Sequence, residues 1–80
     1  MDQFIATFHT HLAALRSCNA LKKAGIGDAR LAPVPRKLSS SCGTCVRYEA
    51  PQDHRELLDH DLESLYQVFG PSYQLLLENS

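Results

Sequence analysis

Apolar residues crowd the run from Gln3 to Phe8 (QFIATF), and β-branched and aromatic side chains dominate it. Such a run predicts a buried strand. From His11 to Ala24 the pattern changes to helical spacing. Ala14, Leu15, Cys18 and Leu21 fall on one face, with Arg16, Lys22 and Lys23 off it or at its edge. Thr10 is the expected N-cap, because its hydroxyl can accept a hydrogen bond from a free N–H of the first turn. Gly25 is the expected C-cap.

Ala29 to Val34 (ARLAPV) predicts a second strand. Pro33 and Pro35 cannot donate ladder hydrogen bonds, which places that strand at a sheet edge. Arg36 to Ser41 is polar and predicts a loop. Thr44 to Glu49 alternates, with Cys45, Arg47 and Glu49 on one side and Thr44, Val46 and Tyr48 on the other, as in a half-buried third strand. Asp53 and Glu56 then have the spacing of a capping box. Leu58, Leu62, Leu65 and Phe69 follow at intervals of four, three and four. They predict a second helix that Gly70-Pro71 stops. Tyr73 to Glu78 (YQLLLE) predicts a last short strand.

The resulting order, β-α-β-β-α-β, is the ferredoxin-like pattern of an α+β domain. It implies an antiparallel sheet of order 4-1-3-2 with both helices on one face. Residues 1–80 are expected to form one domain. A chain this short buries only roughly 60% of its unfolded surface, so its stability margin is thin.

Charge changes the picture more than composition does. The net charge is −1. Yet Arg16 to Arg47 holds seven basic residues and one acid, a net +6, and Tyr48 onward holds seven acids and one base, a net −6. Opposite halves of this kind leave room for a homodimer by charge pairing, or by pairing of the exposed edge strands. No basic and aromatic residues interleave, so nucleic acid is not an expected partner. No stretch approaches the roughly 20 apolar residues of a membrane span, and Met1-Asp2-Gln3 does not open a secretory signal. A cytoplasmic location with reduced thiols is therefore expected.

Three cysteines remain. Cys18 reads as a small core hydrophobe. Cys42 and Cys45 form a C-x-x-C, which in a reducing compartment points to redox, metal or sulfur-transfer chemistry. In the expected topology the end of the first strand (Phe8, His9), the start of the first helix (Thr10, His11) and the loop with Arg36 and Lys37 converge on these cysteines. A helix N-terminus and nearby cations favour the thiolate, the form that is nucleophile and metal ligand. Ser41 and Gly43 belong to a loop whose successive N–H groups can cradle an anionic sulfur. Gly43 also permits close backbone approach to whatever that sulfur carries. Three uses compete: carriage of sulfur or selenium on Cys42, thiol–disulfide exchange with Cys45 resolving Cys42, and a zinc site of Cys42, Cys45, His9 and His11.

The run Val34-Pro35-Arg36-Lys37-Leu38-Ser39-Ser40-Ser41-Cys42-Gly43 resembles a small bacterial family described as putative selenium/sulfur carrier protein-like. Phe8-His9-Thr10-His11 and Leu21-Lys22-Lys23-Ala24-Gly25-Ile26 are similar to its strand-to-helix junction and helix exit. The chain departs from the family pattern at Lys37, where an acid is common, and at Cys45, where an apolar residue is common. The resemblance implies a carrier without turnover of its own, and no cofactor. Cys42 would accept a persulfide or selenosulfide from a donor such as a cysteine desulfurase and pass it to an acceptor protein. Cys45 would assist, and Arg36 and Lys37 would favour the thiolate or dock the donor. The alternative is a metal-binding or protein-interaction module.

Overall fold

A computed structural model describes residues 1–79 and shows one antiparallel sheet with a helix packed on it. The elements are β1 (Asp2–Phe8), α1 (His11–Lys23), β2 (Arg30–Pro33), β3 (Thr44–Ala50), a 3-10 turn (Arg55–Leu57), β4 (Leu62–Phe69) and β5 (Ser72–Glu78). The strand order is β2-β3-β1-β4-β5. The α+β class and the antiparallel sheet agree with the sequence pattern. The two-helix ferredoxin-like arrangement does not, because the described residues contain one α-helix and a fifth strand.

The helix begins and ends where local chemistry dictates. Thr10 Oγ1 accepts from the Ala13 N–H at 3.2 Å, satisfying one of the free donors of the first turn. At the other end Gly25 has φ +96°, a left-handed conformation that glycine adopts without a Cβ penalty. Its N–H donates to Lys22 O, and the Ile26 N–H donates to Leu21 O. That pair of bonds is a Schellman motif, and Ile26 completes it by packing against the core. The buried face is Ala13, Ala14, Ser17, Cys18 and Leu21. Leu15, expected on that face, is 40% exposed. Ser17 takes a buried place because its Oγ accepts from the Asp59 N–H at 2.8 Å.

The stripe read as a second helix is two different things. Asp53 does not cap a helix. Its Oδ1 accepts from the Arg55 N–H two residues on, closing an Asx turn, and its carboxylate pairs with the Arg55 guanidinium at 2.7 Å. Leu57 and Leu58 of this turn pack against the core. Beyond it, Leu62–Phe69 is a strand. Phe8 pairs with Leu62 and Thr7 with Ser64, so Glu63 is an extra residue, a β-bulge. The bulge shifts the strand's phase by one. Leu62 and Leu65, three apart, therefore both face α1 and are both buried. A spacing of three, natural to a helix, arises here from a strand with one residue inserted.

The core lies between α1 and the sheet. Phe4, Ala6 and Phe8 of β1, Val46, Tyr48 and Ala50 of β3, and Leu62 and Leu65 of β4 meet the helix there. The Phe4 and Tyr48 rings lie 5.4 Å apart. Ile5, Thr7, Cys45 and Ser64 point to the opposite face by strand alternation, yet they too are buried. The segment Val34–Gly43 between β2 and β3 runs over this face, tied to Phe8, Glu63 and Pro71. It leaves β2 at the sheet edge, crosses this face so that Ser39 lines one recess with Ser64 and Tyr66, and sends Lys37 Nζ to Pro71 O at 3.0 Å, in the β4–β5 turn.

Candidate functional site

Cys42 sits in the returning arm of that covering loop. Three hydrogen bonds tie this arm to β1 and β4, and a fourth runs from the Val34 N–H to Gly43 O at 3.2 Å. Ser40 Oγ donates to Phe8 O at 3.2 Å, at the end of β1. The Ser41 N–H donates to Glu63 Oε1 at 3.2 Å, and Ser41 Oγ donates to Glu63 Oε2 at 2.9 Å. His9 Nδ1 lies 3.7 Å from the same carboxylate. Part of the convergence expected from topology is present: Thr7 pairs with Cys45, and the β1 end, the β3 start and the Ser40–Ser41 arm meet. Lys37, expected at the same end, instead reaches Pro71 O at the opposite end of the sheet, because the loop first crosses the face before its arm returns to β3. The anion that this arm holds is the carboxylate of Glu63.

Burial pushes the Glu63 carboxyl up. The hydrogen bonds from Ser41 outweigh it, with help from Ser40 and His9, and the net effect holds the group below the ordinary carboxylate range. Glu63 is therefore ionised at neutral pH, and its two bonds from Ser41 are charge-assisted.

The cysteines are three thiols in three settings, and none is in a disulfide. Cys18 is buried in the helix–sheet core. Cys45 is fully buried on the other face, its Sγ 3.6 Å from Pro33 O. Burial pushes the Cys45 thiol up. Arg47 and Arg30 pull it down less, and Cys42 adds to the rise. Cys45 is therefore a protonated thiol at neutral pH, whereas Cys42 is half-buried and reachable from solvent. Its Sγ donates to Thr44 O at 3.3 Å. Gly43 next to it has φ +75°, and a Cβ there would meet nothing within 4 Å. Its glycine serves the turn's backbone conformation.

The remaining expected residues are spread around this centre. Arg36 is exposed on the loop. Lys37 is also exposed, with its ammonium on Pro71 O. His11 is the exposed first residue of α1. The four-residue zinc alternative of Cys42, Cys45, His9 and His11 is not assembled: among the described residues no three His, Cys, Asp or Glu side chains are grouped to hold a metal. His9 faces Glu63, and Cys45 lies beneath Pro33, so the donors do not share a centre.

Glu63 was not legible as a site residue, because the leucine spacing places it on the solvated side of a helix. The signal that could have found it is the composition after it. Tyr66, Val68 and Phe69 are strand formers, and a strand there needs an extra residue to bury both Leu62 and Leu65.

No helix among the described residues is long and apolar enough to cross a membrane. The family described as putative Se/S carrier protein-like matches residues 3–66, and the chain belongs to it. The match takes in β1 through the first part of β4, including the Cys42 loop and Glu63. No curated protein and no solved structure matches the chain.

Proposed function

We propose that this member of the Se/S carrier-like family carries sulfur or selenium on Cys42. The observation that supports the reading best is the contrast among its thiols. Cys42 alone is open to solvent, on an arm that hydrogen bonds fix in place, while Cys18 and Cys45 are buried. A nucleophilic thiol must be both reachable and oriented.

In the loading step the Cys42 sulfur attacks the terminal sulfur of a donor protein's persulfide. A new S–S bond forms on Cys42, the donor's S–S bond breaks, and the donor leaves as a thiol with the proton that Cys42 gave up. With selenium as the terminal atom the product is a selenosulfide. Delivery repeats the exchange on an acceptor. The chain is regained unchanged after each round and has no turnover of its own, so it acts as a carrier between partner proteins. Arg36, exposed on the same loop, is suited to meet a donor's acidic surface. Reduced thiols suit a cytoplasmic setting.

The test is mass spectrometry of the chain after incubation with a cysteine desulfurase and cysteine. The peptide containing Cys42 is expected to gain one sulfur atom, and the Cys42→Ser variant none. An unmodified chain, with native Cys42 also inert to iodoacetamide, would sink the reading.

A further inference from the structure

Within the carrier reading of Cys42, we infer that Glu63 is the positioning residue of the site. It holds the loop so that Cys42 is presented while Cys45 stays sealed. The β4 bulge turns Glu63 out of the strand's alternation and toward the loop, a common use of a bulge beside a site. Its carboxylate takes both hydrogen bonds that Ser41 can donate, one residue before Cys42. The other contacts of the arm are the Ser40 hydroxyl bond to Phe8 O, the bond that Gly43 O accepts from the Val34 N–H, the Cys42 Sγ bond to Thr44 O and the neighbouring His9. An open recess of about 230 Å³ adjoins Glu63, lined also by His9, Ser39, Ser64, Tyr66 and Glu78. The two bonds to Glu63 are the charge-assisted ones among the arm's hydrogen bonds, and they tie the arm to β4 one residue before Cys42.

The chemical consequence concerns cargo. A persulfide on Cys42 is vulnerable to a second thiol in the same chain. If Cys45 attacks the Cys42 sulfur, a Cys42–Cys45 disulfide forms, the outer S–S bond breaks and hydrosulfide leaves with the proton from Cys45. Cys45 is two residues into the sequence beyond Gly43, close enough to influence Cys42 electrostatically. Its burial and raised pKa under the closed loop suppress this reaction. Glu63, by keeping the loop closed, preserves the cargo until an acceptor takes it.

Site-resolved alkylation of the full chain tests this without any loading. In the native protein iodoacetamide is expected to label Cys42 and spare Cys45 and Cys18. Glu63→Ala should raise the Cys45 rate about tenfold or more, because losing charge-assisted bonds raises the population of the open loop. The Cys18 rate should not change. Glu63→Gln, which keeps an acceptor oxygen for Ser41, should restore much of the protection. Ser41→Ala should add little in the Glu63→Ala background, since both remove the same contact. An unchanged Cys45 rate, or Cys45 and Cys18 rising together as in global unfolding, would overturn the proposal.

A second arm uses the persulfide-loaded chain. Glu63→Ala should release hydrosulfide faster than the parent and accumulate the Cys42–Cys45 disulfide, and Cys45→Ser should abolish the difference. Equal release by parent and variant would count against the role. If the parent never loads sulfur, the carrier reading fails, while the labelling result still decides whether Glu63 holds the loop.

Discussion

Gly43 shows how one residue sets the geometry of a site. At φ +75° an L side chain is strained, and free space around it offers no relief, because the strain lies in the backbone. Gly43→Ala should cost about 1 kcal/mol of stability, read from urea unfolding monitored by circular dichroism. The caps Thr10 and Gly25, and the loop setting of Cys42, were legible in the sequence because each depends on near neighbours: a hydroxyl before a helix, a glycine after one, a thiol in a Ser/Gly loop. Glu63 was not, because its partners Ser41 and His9 are distant in the chain and meet it only through strand pairing.

Among the elements, β4 carries the main departure from the sequence pattern. The strands β1, β2, β3 and β5 and the helix α1 follow from runs and periods that each hold over their own length. β4 does not, since its inserted residue gives it a helical interval of leucines. The insertion is a packing device, and removing it has a definite effect. Deleting Glu63 should force either Leu62 or the Leu65 side of β4 onto the wrong face. Exposing one buried leucine costs about 2–5 kcal/mol, a large part of the roughly 5–15 kcal/mol that holds a domain together. The deletion variant is therefore expected to be largely unfolded by circular dichroism, whereas Glu63→Ala, which keeps the bulge, should remain folded.

For the whole molecule, the expected order 4-1-3-2 survives in the β2-β3-β1 portion, and the last predicted strand still forms an edge. The strand beside β1 differs, because β4 took the place of a helix. Ionisation also acts at this scale. Hydrogen bonds from Arg55 hold the Asp53 carboxyl below its ordinary range against opposing burial, and Glu63 is lowered likewise. Below the ordinary carboxylate range the unfolded chain takes up protons that the native chain refuses. Stability is therefore full above that range and falls as the solution is acidified through it. Tyr48 has the opposite sign. Burial, with Asp53 and Glu56, pushes its hydroxyl well above the usual tyrosine value, and the hydroxyl donates to Asp53 O. Above about pH 10 the unfolded chain loses this proton first, so stability falls with rising pH. Urea midpoints measured from pH 3 to pH 11 should form a plateau with a decline at each end. Tyr48→Phe should flatten the alkaline decline while leaving the acid one.

The place of β1 in the middle of the sheet has a consequence for how the chain reaches this state. Both neighbours of β1 are made after it: Thr7 pairs with Cys45, and Gln3 pairs with both Glu49 and Val68. The helix can form while the chain is still growing, since its bonds are local. The sheet cannot close around β1 until nearly all of β4 has emerged. Because such distant pairings require large loops to be ordered before any contact is gained, folding is set by the slowest and longest closure. That closure also delivers Glu63 to Ser41, so the loop that presents Cys42 acquires its fixed geometry only once β4 has paired with β1.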